Sequence, residues 1–350
     1  MRPAQGNILA ESATLSDAVR IIEANSSKIA LVAAADRRLL GTVTDGDIRR
    51  GLLRALALDS PIRMVMNSDP LFGRPDDTDE ILRGTMTTAK IRYLPVVDGS
   101  RRIVGLAALD DLVGRRETPE NWVVLMAGGL GTRLMPITGD TPKPLLNVGN
   151  KPLLQTILES FVALDFHRFY ISVNYRADMI KSHFGDGSRW DSEIRYLEED
   201  RKLGTAGALG LIPERPTEPM IVMNGDVLTK VNFRTLLDFH AEHGADATMC
   251  VREYDFQVPY GVVRLKGHTV VGIEEKPVQS FFVNAGIYAL EPGTLDLIRP
   301  GEALDMTDMF QRVIDSSRGA AVFPIREYWI DVGRPDDFHR ANWEYTENFS

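Results

Sequence analysis

Three glycines in five positions, Gly128, Gly129 and Gly131, stand in the run AGGLGTRLMPITGDTPKPLL (residues 127–146), with Arg133 and Lys143 close behind. Glycine lets backbone N–H groups approach an anion, and the two cations add fixed positive charge, so the run reads as a polyphosphate cradle. It is not a Walker loop, since no GK[ST] closes it, and Leu134 sits where a dinucleotide fingerprint needs its third glycine. Asp226, in MNGDVL, ends an apolar run, where a carboxylate can hold a metal or cap the next helix. Asn232 is better placed for the capping. Taken alone, Glu275 and Lys276 before Pro277 read as a solvated strand end, and Thr44 and Asp47 at the head of a helix read as turn chemistry.

These side chains need elements to hold them. From Trp122 onward short apolar runs alternate with helical periods, the pattern of a mostly parallel sheet with helices on its faces. WVVLMA, FYISVNY, IRYLEE, MIVMNG and TMCVREY are the expected strands. KPLLQTILESFVAL places Leu154, Ile157, Leu158 and Phe161 on one helix face, with Asn150 as the expected cap and Pro152 in the first turn. NFRTLLDFHAEHGA does the same with Phe233, Leu236, Leu237 and His240, the last read as a helix-face residue. A β-rich insert, GVVRLKGHTVVGIEEKP, follows. Ligands of such open sheets bind outside the carboxyl ends of the strands, which singles out the loops after Ala127 and Asn224.

A chain of 350 residues predicts two domains. The polar stretch GRRETPEN sets the expected boundary, giving domains of 1–118 and 119–350. The first carries a weak internal repeat: helix, two strands and helix in TLSDAVRIIEANSS, KIALVAAADRRLLGTVT and DGDIRRGLLRAL, then again from DDTDEILRGTMTTA to LDDLV. One repeat has too little core, so the pair should pack as one domain. The net charge is −9, and the first 118 residues hold 17 basic and 16 acidic side chains, so the acidity belongs to the second domain. That balance argues against a nucleic-acid or anionic-membrane binder. The single Cys250, the lack of a signal peptide and the lack of a long apolar run point to a cytoplasmic protein.

The run GGLGTRLMPITGDTPKPLL closely resembles the signature of the sugar-1-phosphate nucleotidyltransferases, GGxGTRLxPLT followed by PKP. Other pieces follow in family order up to about residue 340, and the resemblance implies a Rossmann-like, mostly parallel α/β sheet with a β-rich insert. It implies nucleotide binding by Ala127, Gly128, Gly129, Gly131 and Thr132, and by Gly204, Thr205, Ala206 and Gly207 of EEDRKLGTAGAL, where small residues would admit a flat ring. It implies a sugar pocket of Tyr260 and Gly261 in PYGVV, Glu275 in EEKP, and Asn284 and Gly286 in VNAGIYAL. Arg133, Lys143, Asp226, Lys276 and Asp331 would be catalytic, and Asp226 and Asp331 would hold Mg²⁺. The implied reaction joins a nucleoside triphosphate to a sugar 1-phosphate, a hexose or amino sugar, with release of pyrophosphate. It needs no Ser-His or Cys-His arrangement, because the attacking phosphate oxygen is already ionised.

Residues 7–115 resemble a tandem CBS pair, also called a Bateman domain, an α+β module that often binds adenosine nucleotides and regulates an attached enzyme. In GTVTDGDI the pattern assigns Thr44 and Asp47 to a ligand's phosphate and ribose; the second repeat keeps Asp111 but has Ala108 in place of the hydroxyl. Proteins that join such a pair to this transferase include guanylyltransferases for surface glycans, which favours GTP by analogy of architecture. A homo-oligomer is expected on the same resemblance. The rival readings are a CBS nucleotide sensor or scaffold without catalysis, and a transferase for a non-sugar phosphate acceptor.

Overall fold

Each repeat of the N-terminal region begins with a helix whose start is written in its side chains. Thr14 Oγ accepts from Asp17 N, and the Asp17 carboxylate accepts from Thr14 N, a reciprocal box that opens α1 (Leu15–Ala24). Leu15, Ala18 and Ile22 form its buried stripe. Strand β1 (Ile8–Ala10) lies parallel to β2 (Ile29–Ala33), which pairs antiparallel with β3 (Leu39–Thr44), and α2 (Asp45–Leu53) follows. The second repeat places α3 (Asp79–Thr88) before the hairpin of β4 (Tyr93–Val97) and β5 (Ile103–Ala108), then α4 (Leu109–Val113). Both hairpins shift register at matching places, Val32/Ala33 and Val96/Val97, the structural trace of the repeat. Leu31 and Leu39 share a core with Val97, Ile103 and Leu106, so the two repeats bury one another as a pair.

The computed structural model describes residues 2–25, 27–113, 118–129, 131–134, 138–139 and 141–349, without the side chains of Val113 and Thr132. The chain divides into two units, Met1–Glu117 and Thr118–Ser350. Among the described residues no helix is long and apolar enough to cross a membrane.

The second unit runs β6 (Val123–Met126), a short hairpin of β7 (Asn147–Val148) and β8 (Lys151–Pro152), α5 (Leu153–Val162), β9 (Arg168–Val173), α6 (Ala177–Phe184) and β10 (Glu193–Glu198). Then come α7 (Gly204–Gly207), β11 (Met220–Asn224), β12 (Val227–Thr229), α8 (Phe233–His243) and the long β13 (Ala247–Gln257). The hairpin of β14 (Val262–Lys266) and β15 (Thr269–Glu274) leads to β16 (Val278–Leu290), α9 (Met306–Asp315), β17 (Ala320–Ile325), β18 (Trp329–Asp331) and α10 (Pro335–Phe349). Seven strands form the main sheet in the order β10-β9-β6-β11-β16-β13-β17. All are parallel except β16, which runs antiparallel to both neighbours. The mixed α/β, mostly parallel class expected from the alternating pattern is therefore what forms.

Successive residues of β6 point into two cores, Val123 and Leu125 into one and Val124 into the other, which is why WVVLMA is apolar throughout. Phe161 of α5 stacks on Phe233 of α8 with ring centroids 3.7 Å apart, and His240 is buried on the inner face of α8, as its spacing implied. Asn232 caps α8, accepting from the backbone N–H groups of Arg234 and Thr235. One expectation is corrected. Asn150 does not cap α5: Lys151 and Pro152 are drawn into the hairpin with Asn147 and Val148, and Pro152 itself holds the cap position with no side-chain cap bond.

Candidate active site

The glycine turn leaves β6 between two neighbouring strand ends. Ala127 N donates to Ser172 O at 2.9 Å, and Gly225 N donates to Met126 O at 2.9 Å, which pins the turn to the ends of β9 and β11. A Cβ on Gly128 would lie 2.6 Å from Glu199 Oε1, and Gly131, at φ +64°, would meet the Lys143 side chain at 3.1 Å. Both glycines answer to close packing. Gly129 differs: it is exposed and a Cβ there would meet nothing within 4 Å, so its backbone lies open to an incoming group. Arg133 sits exposed on the single turn Thr132–Leu134, anchored by buried Leu134. Leu130, Met135, Pro136, Ile137 and Asp140 of the motif, and the side chain of Thr132, lie outside the described residues.

Lys143 and Asp226, 83 positions apart, meet at 2.5 Å between Nζ and Oδ2, with Lys143 largely buried. Asp331 arrives by β-pairing: β18 runs antiparallel to β12, Val227 stands opposite Asp331, and Val332 N donates to Asp226 O at 2.8 Å. Burial first, then the Asp226 charge, push the Asp331 carboxyl up to about 6 against the opposing pull of Lys143 and Arg133. The four side chains therefore sense one another. Asp331 Oδ1 is buried with no hydrogen-bond partner among the described residues, as is Asn224 Oδ1. A buried carboxylate oxygen without a donor is costly unless a ligand completes it. Two carboxylates with one oxygen uncommitted fit a hard divalent cation that takes its other ligands from water and phosphate. Among the described residues no group of three or more potential metal ligands is present, so any such ion would rest on these two.

On the other side of the glycine turn, Glu199, which no motif marks in the sequence, ties the region together. It accepts from Ser172 Oγ at 2.5 Å and from Leu203 N at 2.9 Å, and its backbone O accepts from Asn174 Nδ2. It thus links the end of β9 to the start of α7 and borders Gly128. The only sequence signal was its place at the carboxyl end of a parallel strand. The small residues after it have a packing cause. A Cβ on Gly204 (φ +79°) would fall 2.6 Å from Leu304 O, and one on Gly207 would fall 2.3 Å from Glu302 O. Ala206 and Gly207 donate to Leu304 O, and Thr205 Oγ accepts from Met306 N at the start of α9. Room for residues 302–305 thus gives Gly204 and Gly207 a packing cause of their own.

The expected sugar residues fall into two places. Gly286, at φ +72°, lies against Asn224, two residues ahead of Asp226, where a Cβ would be 2.8 Å from Nδ2. Asn284 accepts from Gly286 N and donates to the Tyr288 hydroxyl, which commits both ends of its amide within β16. Tyr260, Gly261, Glu275 and Lys276 instead lie where the β14–β15 hairpin joins the sheet, with Glu275 Oε2 beside Gly261. Among the described residues no hydrogen bond or ion pair links them to the group of Lys143, Asp226 and Asp331. Lys276 has φ +47°, a left-handed conformation that a lysine preceding proline strongly resists, and such strain concentrates at binding sites.

In the first unit the expected ligand residues are already engaged. Thr44 caps α2: its hydroxyl donates to Asp47 Oδ2 at 2.7 Å and accepts from Asp47 N, while Asp47 Oδ1 pairs with Arg50. Asp111 is held by Arg2 through two bonds of 2.7 and 2.5 Å.

Residues 122–348 match the family model described as nucleotidyl transferase, and residues 8–54 and 62–117 match that of the CBS domain. A mannose-1-phosphate guanyltransferase of Schizosaccharomyces pombe is 34% identical over 224 residues, 61% of this chain and 61% of that protein. The protein of the same name in Candida albicans is 32% identical over 239 residues, 65% of each. The chain thus spans less than two thirds of the length of these relatives. The crystal structure of HddC from Yersinia pseudotuberculosis complexed with GMP-PN is similar at a TM-score of 0.50 and 25% identity, covering 64% of this chain and 99% of that one. Because the transferase model extends from the start of β6 into α10 and takes in Lys143, Asp226 and Asp331, the chain belongs to the nucleotidyl transferase family.

Proposed function

We propose that residues 119–350 are a transferase that joins a nucleoside triphosphate to a sugar 1-phosphate, with GTP and mannose 1-phosphate as the favoured pair and surface glycan assembly as the use of the product. The observation that carries this reading is the meeting of Lys143, Asp226 and Asp331 beside a glycine turn whose Gly129 backbone is open. The names of the relatives and the nucleotide held by HddC support guanine and mannose.

In this reading an anionic oxygen of the sugar phosphate attacks the α-phosphorus, the bond to the β-phosphate oxygen breaks, and pyrophosphate leaves. The nucleophile needs no general base, and the barrier lies in bringing two anions together in line. Lys143 would meet the α-phosphate region, Arg133 the departing β- and γ-phosphates, and Lys276 the incoming sugar phosphate. Residues 127–132 and 204–207 would carry the nucleotide. Glu275, Tyr260 and Gly261 would receive the sugar, with Asn284 shaping the pocket through Gly286. Asp226 and Asp331 would hold Mg²⁺, which when bound neutralises phosphate charge. Residues 1–118 are read as a CBS pair sensing an adenosine nucleotide, for which Thr44 and Asp47 would have to turn from capping to the ligand.

Pyrophosphate release from each common nucleoside triphosphate, paired with mannose, glucose, glucosamine and N-acetylglucosamine 1-phosphates, tests the assignment. GTP with mannose 1-phosphate should be the productive pair, and AMP or ATP should change its rate. Silence across all pairs in folded protein would sink the catalytic reading and leave the sensor.

A further inference from the structure

The hairpin turns of the two repeats in the first unit meet at a pair of like charges. Counted from the matching bulges, Arg37 and Arg38 of the first repeat correspond to Arg101 and Arg102 of the second. Leu39 N donates to Arg101 O at 2.9 Å and Ile103 N donates to Arg37 O at 3.0 Å, which leaves Arg38 and Arg102 facing each other between these bonds. A facing pair of this kind brings its Cα atoms to about 4.5 Å and puts both side chains on one face. Both arginines are exposed, and among the described residues neither guanidinium has a carboxylate partner. Asp36 and Asp98 lie close by, but each turns an oxygen to the backbone of its own turn, Asp36 to Arg38 N and Asp98 to Ser100 N and Arg102 N. Like charges directly opposite destabilise a strand pair, so stability does not account for this one.

The neighbours add to the charge. Arg37 and Arg101 take left-handed φ of +67° and +64° at the ends of turns closed by bonds of 2.9 Å, from Arg37 N to Ala34 O and from Arg101 N to Asp98 O. Glycine or asparagine fills that position when only the turn is at stake, and side chains held there against strain concentrate at ligand clamps. Arg74 donates to Asp98 O at 2.9 Å, and the guanidinium groups of Arg74 and Arg101 each lie 5.2 Å from the centre of the Phe72 ring. Arg101 Nε is buried with no partner among the described residues. We propose that Arg38 and Arg102 form a binding site for a phosphoryl oxyanion, carried by inorganic pyrophosphate or by the phosphate tail of a nucleotide, that bridges the two repeats. The planar fork of each guanidinium matches phosphate oxygens, and an anion between the two turns their repulsion into a pair of charge-assisted contacts. This is not the place expected for Thr44 and Asp47, because Thr44 ends β3 about 20 Å along the strand from Arg38. The inference does not rest on the reaction proposed above.

Phenylglyoxal modification of the full chain, followed residue by residue by mass spectrometry at low salt with EDTA present, tests it. Pyrophosphate should slow the modification of Arg38 and Arg102 about tenfold, the protection of a site filled at about ten times its dissociation constant. ATP should protect them as well if a nucleotide tail is the source, and pyrophosphate alone if the free anion is; adenosine should do nothing. Unchanged rates with pyrophosphate overturn the proposal, as does protection by adenosine. This assay needs no variant and so stands even if a substituted chain fails to fold. In calorimetry Arg38→Gln with Arg102→Gln should weaken one pyrophosphate binding event by about 30-fold or more, the loss of hydrogen bonds to a charged group. A folded variant that keeps every pyrophosphate site of the parent at parental affinity overturns the proposal, because the protection would then come from binding elsewhere.

Discussion

The two units treat similar residues in opposite ways. In the first, Thr44 and Asp47 spend their hydrogen-bonding capacity on α2, and Thr14 and Asp17 build the same box on α1, where no ligand was expected. In the second, Asp331 keeps a buried oxygen without a donor and a carboxyl raised by burial and by Asp226, and Asn224 keeps another such oxygen. A side chain consumed by local geometry explains itself. One held buried and incomplete by distant elements needs a ligand to account for it.

The largest effect should come from Asp226→Asn, which we expect to lower pyrophosphate release by about 1000-fold or more. Its melting curve without substrates should stay close to that of the parent. Substantial Mg²⁺-dependent turnover in this variant would break the contrast between the units. Gly204→Ala should cost about 2–4 kcal/mol in urea denaturation, since it adds a Cβ against Leu304 O at positive φ. Gly129→Ala, with open space around it, should leave stability within about 0.5 kcal/mol and raise the half-saturation for triphosphate.

Histidine separates the units next, because residues 1–118 contain none. Burial lowers His240 from 6.5 to about 4, so the unfolded chain binds the proton more readily than the folded one. Its share of stability, about 3 kcal/mol, should be intact above pH 6.5 and lost as the pH falls through 4. Acid titration followed by fluorescence should show this slope in the second unit, and His240→Gln should flatten it. Glu199→Ala should raise the half-saturation for triphosphate about tenfold by freeing Leu203 N and Ser172, with a smaller change for the sugar phosphate. Last, Thr44→Ala and Thr14→Ala should each cost about 1 kcal/mol, the ordinary price of a lost cap. If Thr44→Ala alone abolished an adenosine-nucleotide effect on rate, the first unit would join the second as a ligand site.

Much of this was legible beforehand because it depends on local chemistry. Asn232 caps α8 as its position implied, the β6 strand is apolar on both faces as a parallel strand must be, and the repeat reappears as matching bulges. Asn150 misled because a two-residue hairpin captured the residues after it, a competition that no local rule decides. Glu199 went unseen because a lone glutamate at a strand end carries no pattern. Its importance lies in partners at Ser172 and Leu203.

By itself the sequence determined the class of the fold, the paired repeats and the glycine-rich turn after β6, all of which follow from residue type and short-range spacing. Only the tertiary structure decided that Lys143 meets Asp226, that β18 delivers Asp331 beside them, and that Gly204 and Gly207 answer to residues 302–305. Pairing between strands far apart in the chain sets which charges share a low-dielectric site. That pairing is chosen by the burial of whole faces, which spacing along a single segment does not encode.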